Sequence, residues 1–280
     1  MLLSLPKHEN LNPNYAHRMT WRSTPCLHGD FCWHEVNTRD AAGSTAFYSA
    51  LLNATASTIP MPHGDYNMLA IGSHTVLGIM HMSETAPPDV QAHCLGYIAV
   101  DDIEQATASA AKLGGTVRVP VMQGSIGRWS LIADPTGAAF ALFQADPGKT
   151  DGMTDHGPGA IIWNHLVTPD PARAVEFYCA LLGWESELPP DGGADGARRM
   201  NANGRSVAGI MPAAHPDDRA AWLAFIEVER MEDAARTAIQ LGAKALTEVI
   251  GFPSIGSVMV LKDPQGATIC VVEPVESRKI

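Results

Sequence analysis

The chain has 280 residues, 46% of them hydrophobic and 18% charged, with a mean hydropathy of -0.01. That balance excludes a disordered, collagen-like or membrane-embedded polypeptide, and at roughly 100–200 residues per domain it predicts two domains, each with its own core. A formal charge of -11, from 30 acidic and 19 basic residues with no run of Lys or Arg, argues against nucleic acid and anionic membranes as partners.

The chain starts MLLSLPKHENLNPNY, an apolar patch cut by Pro6, Lys7 and His8. It is too short and wrongly flanked for a signal peptide or a membrane span, so residues 1–28 read as an N-terminal arm. Five widely spread cysteines without a C-x-x-C pair indicate neither a disulfide framework nor a zinc knuckle. A reducing cytoplasm fits them, and they read as small buried apolar groups, Cys270 being the one to test for reactivity.

From Phe31 to Thr38 aromatic and branched residues predict a strand, and Asp40 offers an oxygen to cap a following helix. Strands follow at Tyr66–Ile71 and His74–Met82, then a strand at Leu95–Val100, a helix from Ile103 to Leu113 ended by Gly114 and Gly115, and strands at Trp129–Ala133 and Ala138–Phe143. The last two are joined by D-P-T-G, a type I turn sequence. The Gly-, Pro- and Asp-rich stretch Gln144–Gly159 reads as a linker, placing a first domain at 29–145, a linker at 146–158 and a second domain at 159–280.

The second domain repeats the first. W-H-E-V-N-T-R-D with F-Y-S-A-L-L returns as W-N-H-L-V-T-P-D with F-Y-C-A-L-L, so that Trp33, Asp40 and Tyr48 map to Trp163, Asp170 and Tyr178; G-I-M and D-P-x-G recur at nearly the same shift. Asp170 as N-cap, Pro171 at the first helical position and Gly183 as the stop define this copy's helix. The expected fold is α+β: four βαβββ units paired into two domains, each a curled sheet around a cleft.

These motifs resemble the vicinal oxygen chelate superfamily, which includes glyoxalase I, bleomycin and fosfomycin resistance proteins and extradiol dioxygenases. The likeness spans roughly Phe31 to Pro274 and is nearest to tandem two-domain actinobacterial glyoxalase-like proteins. Metal-dependent members place His, Gln or Glu on the first strand of each unit and a carboxylate on a late strand. The resemblance maps those positions to Trp33, Leu95, Trp163 and Leu223, and near Gly78, Ala141, Gly209 and Cys270. Only Cys270 of these could bind a metal, so no metal and no other cofactor is expected, although a register slip of one residue would bring in His34.

Strand alternation places Glu35 and Asn37 beside Trp33, His165 beside Trp163, and His93 and Tyr97 on one face, with Phe225 and Glu227 their counterparts in the second domain. Met80 and Met211 follow the two strand glycines. Arg128 and Trp129 break the internal symmetry and suggest a clamp for an anionic or aromatic ligand. Trp33 and Trp163 suggest stacking walls, and Gly78 and Gly209 close-packing positions. Each of these also has a plain structural reading: an ion pair or a hydrogen bond to the next strand for Glu35, a satisfied core histidine for His165, a solvated strand end for Glu227 and a surface position for Arg128. The eight histidines from His8 to His93 read as scatter, although His63, His74 and His93 could gather at a cleft mouth.

The reading is a protein that binds a small, natural-product-like organic molecule and transforms it without a metal. The chemistry would be isomerisation, cyclisation or elimination, with Glu35 or His165 moving the proton. An antibiotic-sequestering protein is the alternative, and a divalent-metal glyoxalase or dioxygenase with non-homologous ligands the third. A monomer suffices to close both clefts; a homodimer stays open.

Overall fold

The computed structural model describes residues 22–24, 26–61, 64–83, 86–147, 153–189, 192, 196–252 and 255–275. The expectations for most of the N-terminal arm and for His63 fall outside them. In chain order the elements are β1 (Arg22–Thr24), β2 (Phe31–Thr38), α1 (Ala41–Leu52), β3 (Thr55–Ile59), β4 (Tyr66–Ile71), β5 (His74–His81), β6 (His93–Ala99), α2 (Ile103–Lys112), β7 (Thr116–Gln123), β8 (Gly127–Ala133) and β9 (Ala139–Ala145). The second half runs β10 (Met153–His156), β11 (Ile161–Thr168), α3 (Pro171–Leu182), β12 (Glu185–Glu187), β13 (Arg198–Ala202), β14 (Arg205–Pro212), β15 (Ala221–Glu227), α4 (Met231–Gln240), β16 (Lys244–Ala245), β17 (Ile250–Phe252), β18 (Gly256–Lys262) and β19 (Thr268–Pro274).

Each half makes one sheet. The first has the order β3-β4-β5-β2-β6-β9-β8-β7, and the second β12-β13-β14-β11-β15-β19-β18-β16, with β17 added to β18. Within a sheet the two units meet along their first strands, β2 antiparallel to β6 and β11 antiparallel to β15, while β5 and β9 run parallel to those first strands. Of the edge strands, β3 is exposed throughout, whereas β7 alternates half-buried Val117, Val119 and Val121 with exposed residues. A short ladder of β1 with β10 joins the end of the arm to the linker stretch, which the sequence reads as irregular.

Local chemistry sets the element ends. Asp40 Oδ1 accepts from Gly43 N at 2.9 Å and Asp170 Oδ1 from Arg173 N at 3.0 Å, so both repeated aspartates cap their helices. Asn53 and Gly183 close α1 and α3 in the left-handed conformation. α4 has no side-chain cap from Arg230; Glu273 of β19 accepts from Met231 N at 2.8 Å instead.

Both first strands carry a bulge, between Phe31 and Trp33 and between Ile161 and Trp163. The extra residue turns Phe31 toward the helix side, against Trp184 and Trp222, while Trp33 faces the cleft side.

The helix layers of the halves are shared. One core cluster joins Val36, Phe47 and Tyr48 of the first half to Ile226, Met231 and Ile269 of the second, and another joins Ile98, Phe140 and Leu142 to Phe177, Tyr178 and Trp222. The two repeated motifs meet here. Tyr48 donates to Asp263 Oδ2 and Tyr178 to Asp134 Oδ2, both at 2.9 Å and both buried. The second oxygen of each aspartate caps its own D-P-x-G turn, Asp134 Oδ1 accepting from Thr136 N and Ala138 N, and Asp263 Oδ1 from Gln265 N and Ala267 N.

Near the junction between halves, His34 Nε2 donates to Asn164 Oδ1 at 2.7 Å, the two being repeat equivalents. His34 therefore lies between the halves and away from the clefts. Burial lowers its pKa to about 4, against the opposing hydrogen bond. An imidazole with a depressed folded pKa contributes stability that is complete above pH 6.5 and drains as pH falls toward 4. Between pH 7 and 5 the protein is expected to lose about 2 kcal/mol through this residue. Urea unfolding checks it: a His34→Asn variant loses that much less over the same interval.

Candidate functional site

The cleft face of the first sheet is aromatic with one acidic centre. On β2, Trp33, Glu35 and Asn37 point one way; across from Glu35 lie Gly78 of β5 and Leu95 of β6. Glu35 is only 4% exposed. Its Oε1 accepts from the Tyr97 hydroxyl at 2.8 Å and from Asn37 Nδ2 at 3.2 Å. Tyr66 also hydrogen-bonds the carboxylate, and its hydroxyl oxygen in turn accepts from Trp33 Nε1 at 2.7 Å. Burial raises the pKa of Glu35, and the three hydrogen bonds only partly oppose it.

Tyr66 is absent from the sequence reading because it has no counterpart: the repeat position in the second half is Ala197. The signal that could have exposed it is Gly78. A Cβ there would collide with the Tyr66 hydroxyl and approach Glu35 Cβ to 3.1 Å, so this glycine makes room for a side-chain oxygen. Gly78→Ala is expected to dislodge Tyr66 from Glu35 and to cost about 1–3 kcal/mol in urea unfolding, as overpacking does.

Trp129 of β8 and Phe143 of β9 pair on the same face, and Phe143 meets Tyr97 edge-on at 6.4 Å. Met80 stands two residues beyond Gly78, opposite Tyr66. His93, the first residue of β6, lies opposite Asn37, and its Nδ1 is within 2.9 Å of the Gln91 carbonyl. The structure thus brings Trp33, Glu35, Asn37, Met80, His93, Tyr97 and Trp129 to one face.

Arg128 is not brought to that face. On a two-residue period it cannot share a face with Trp129, and its guanidinium donates to Gln144 Oε1 at 2.7 Å and to Glu104 of α2 at 3.4 Å, on the helix side. Glu227 is held by the backbone: it is 1% exposed, and its Oε2 accepts from Gly157 N at 3.0 Å, which fastens the chain entering β11.

The second cleft is apolar. Trp163, Leu223 and Phe225 cluster with Val258, Val260 and Cys270, and Met211 stands beside Val167. His165 occupies the place of Glu35 and packs over Gly209, whose Cβ would lie 2.6 Å from Nε2. No hydrogen bond reaches this imidazole among the described residues, and burial lowers its pKa to about 4, which keeps it neutral at pH 7. The Cys270 thiol is fully buried and pushed up to about 12, so it is inert.

The sequence pattern of the glyoxalase-like domain matches twice, at residues 33–143 and 163–272. The chain belongs to that family, within the vicinal oxygen chelate superfamily, whose members bind small molecules. Curated relatives are CFP32 of Mycobacterium tuberculosis, which bears the name of a glyoxylase (31% identical, covering 86% of this chain and 94% of the relative), and the anthracycline biosynthesis protein DnrV of Streptomyces peucetius (29%, 86% and 92%). Among solved structures the fold is shared with the Mn(II)-bound glyoxalase from Novosphingobium aromaticivorans (14% identity, 92% of this chain and 84% of that one, TM-score 0.57). It is shared also with the 2,3-dioxygenase LapB from Pseudomonas sp. KL28 (14%, 90% and 93%, TM-score 0.60). No helix among the described residues is long and apolar enough to cross a membrane.

A divalent ion of the kind metal-dependent members hold does not fit the groups at the homologous positions. Trp33, Leu95, Trp163 and Leu223 offer no lone pair, Gly78, Ala141 and Gly209 offer no donor, and Cys270 is a buried thiol. Among the described residues no three His, Cys, Asp or Glu side chains converge.

Proposed function

We propose that this protein binds a planar aromatic molecule of the anthracycline type in its first cleft and transforms it by metal-independent acid–base chemistry. The observation that carries this reading is the desolvated Glu35 carboxylate, held by Tyr66, Tyr97 and Asn37 among aromatic walls. The substrate class draws on the relationship to anthracycline biosynthesis proteins.

Such substrates carry carbon acids beside ketone or quinone carbonyls. The Glu35 carboxylate takes a proton from such a carbon, and its raised pKa brings its basicity nearer to neutral pH, where general bases work best. Once protonated, the carboxyl accepts hydrogen bonds weakly. The Tyr97 and Tyr66 hydroxyls then turn to donate to the substrate oxygen on which negative charge develops. Return of the proton to a different carbon completes an isomerisation, and loss of a leaving group completes an elimination. Trp33, Trp129 and Phe143 orient the rings and exclude water. In the second cleft burial lowers the His165 pKa to about 4, which leaves the imidazole neutral but a weak base for this step.

Titrating the protein with an anthracyclinone panel tests this, following tryptophan quenching for binding and mass-resolved chromatography for product. Binding with turnover supports the reading. Tight binding without product from any member favours the sequestering alternative. No binding removes the substrate class.

A further inference from the structure

Away from the Glu35 cleft, two thiols meet at the start of the first sheet. Cys26 precedes a tight turn in which Leu27 N donates to Asp30 Oδ2 at 2.8 Å and Asp30 N to the Leu27 carbonyl at 3.0 Å. Gly29 and Asp30 are tied to Ala99 by two 2.8 Å backbone bonds, the Gly29 carbonyl accepts from Trp184 Nε1, and Asp30 is paired with Arg205. This anchored fold-back sets Cys26 beside β2. Cys32 is the extra residue of the β2 bulge, and its thiol donates to the Tyr97 carbonyl at 3.3 Å. The thiols of Cys26 and Cys32 hydrogen-bond each other, and both line one pocket together with His28, Asp101, Phe143 and Gln144.

The geometry points to a dithiol–disulfide couple: Cys26 and Cys32 form a modification site that exchanges with small organic disulfides. The pair is asymmetric in the way such exchange needs. Cys26 is half-buried and open to the pocket, whereas Cys32 is buried behind it. The Cys26 thiolate attacks a sulfur of the reagent disulfide, forming a mixed disulfide and releasing one thiol. Cys32 then loses its proton and attacks the Cys26 sulfur, closing the protein disulfide and releasing the second thiol. Two protein thiols are oxidised and one reagent disulfide is reduced. The hydrogen bond between Cys26 and Cys32, with burial, holds the Cys32 proton in the resting state, so attack begins at Cys26. The remaining cysteines lack such an arrangement. Burial pushes the Cys94 and Cys270 thiols up to about 12, and Cys179 stands on α3 in the other half.

The bridge lies behind the acidic centre. Closing it removes the thiol donor from the Tyr97 carbonyl, on the residue whose hydroxyl holds Glu35.

Incubating the full chain with oxidised glutathione and counting thiols after denaturation tests the site. The count is expected to fall from five to three, with an intact mass lower by two hydrogens and both losses on the tryptic peptide Ser23–Arg39. Cys32→Ser is expected to stop at a glutathione adduct on Cys26, and Cys26→Ser to keep all four of its thiols. An unchanged count in the native chain, a stable Cys26 adduct as its end product, or a bridge on another peptide overturns the assignment. The native chain's mass and peptide map decide the matter even if a variant fails to fold.

Discussion

Glu35→Gln is expected to bind an aromatic ligand as the native chain does and to turn it over 10²–10⁴-fold more slowly, the range by which a positioned general base accelerates proton transfer. Glutamine keeps the shape and an oxygen that still accepts from Tyr97, so the loss falls on kcat while the dissociation constant stays. The pH profile carries a second signature. As a base, Glu35 works ionised, so log(kcat/KM) rises with pH until it passes the folded pKa, and burial places that limb above the ordinary 4.5 of a glutamate. The limb is expected to vanish in Glu35→Gln. A variant that turns over at the native rate would remove Glu35 from the chemistry, leaving it a polar anchor.

Asp263→Ala is expected to cost about 3–5 kcal/mol of stability, measured by urea unfolding. One carboxylate serves three donors on two sides of the junction: Tyr48 of α1, and the Gln265 and Ala267 amides of its own turn. Asp263 and Tyr48 are almost fully buried. An unsatisfied buried donor costs about 1–3 kcal/mol, and alanine strands all three. Tyr48→Phe removes the donor together with its need and is expected to cost less, about 1–2 kcal/mol. A double-mutant cycle of the two isolates their coupling. Strict additivity would mean that the hydrogen bond between halves contributes nothing.

The fold was legible because the chain states it twice. Two copies of W-x-x-x-x-T-x-D, F-Y-x-A-L-L and D-P-x-G fix four units, and capping aspartates with helical spacing fix the helix starts. What the repeat could not say is which half each motif serves. Tyr48 and Asp263 lie far apart in sequence and on different copies, so neither local chemistry nor self-comparison pairs them. The acidic centre was half legible: alternation placed Glu35, Asn37 and Tyr97 on one face, but Tyr66 has alanine in its repeat position and left only the glycine opposite as a trace. The directions of Arg128 and Glu227 were not legible because a charged residue in a sequence does not name its partner. Gln144 takes the first to the helix side, and the Gly157 amide takes the second into the backbone.

The reciprocal tyrosine–aspartate bonds also limit how this protein can vary. Each half presents a hydroxyl that donates to a buried carboxylate of the other and a carboxylate oxygen that accepts from the other, so neither behaves as a portable module. A chimera that takes one half from a relative folds only if the incoming half brings both groups in register. The two clefts are free to diverge in chemistry, one gaining an acidic centre and the other keeping an apolar lining. The surfaces that hold them back to back must change together.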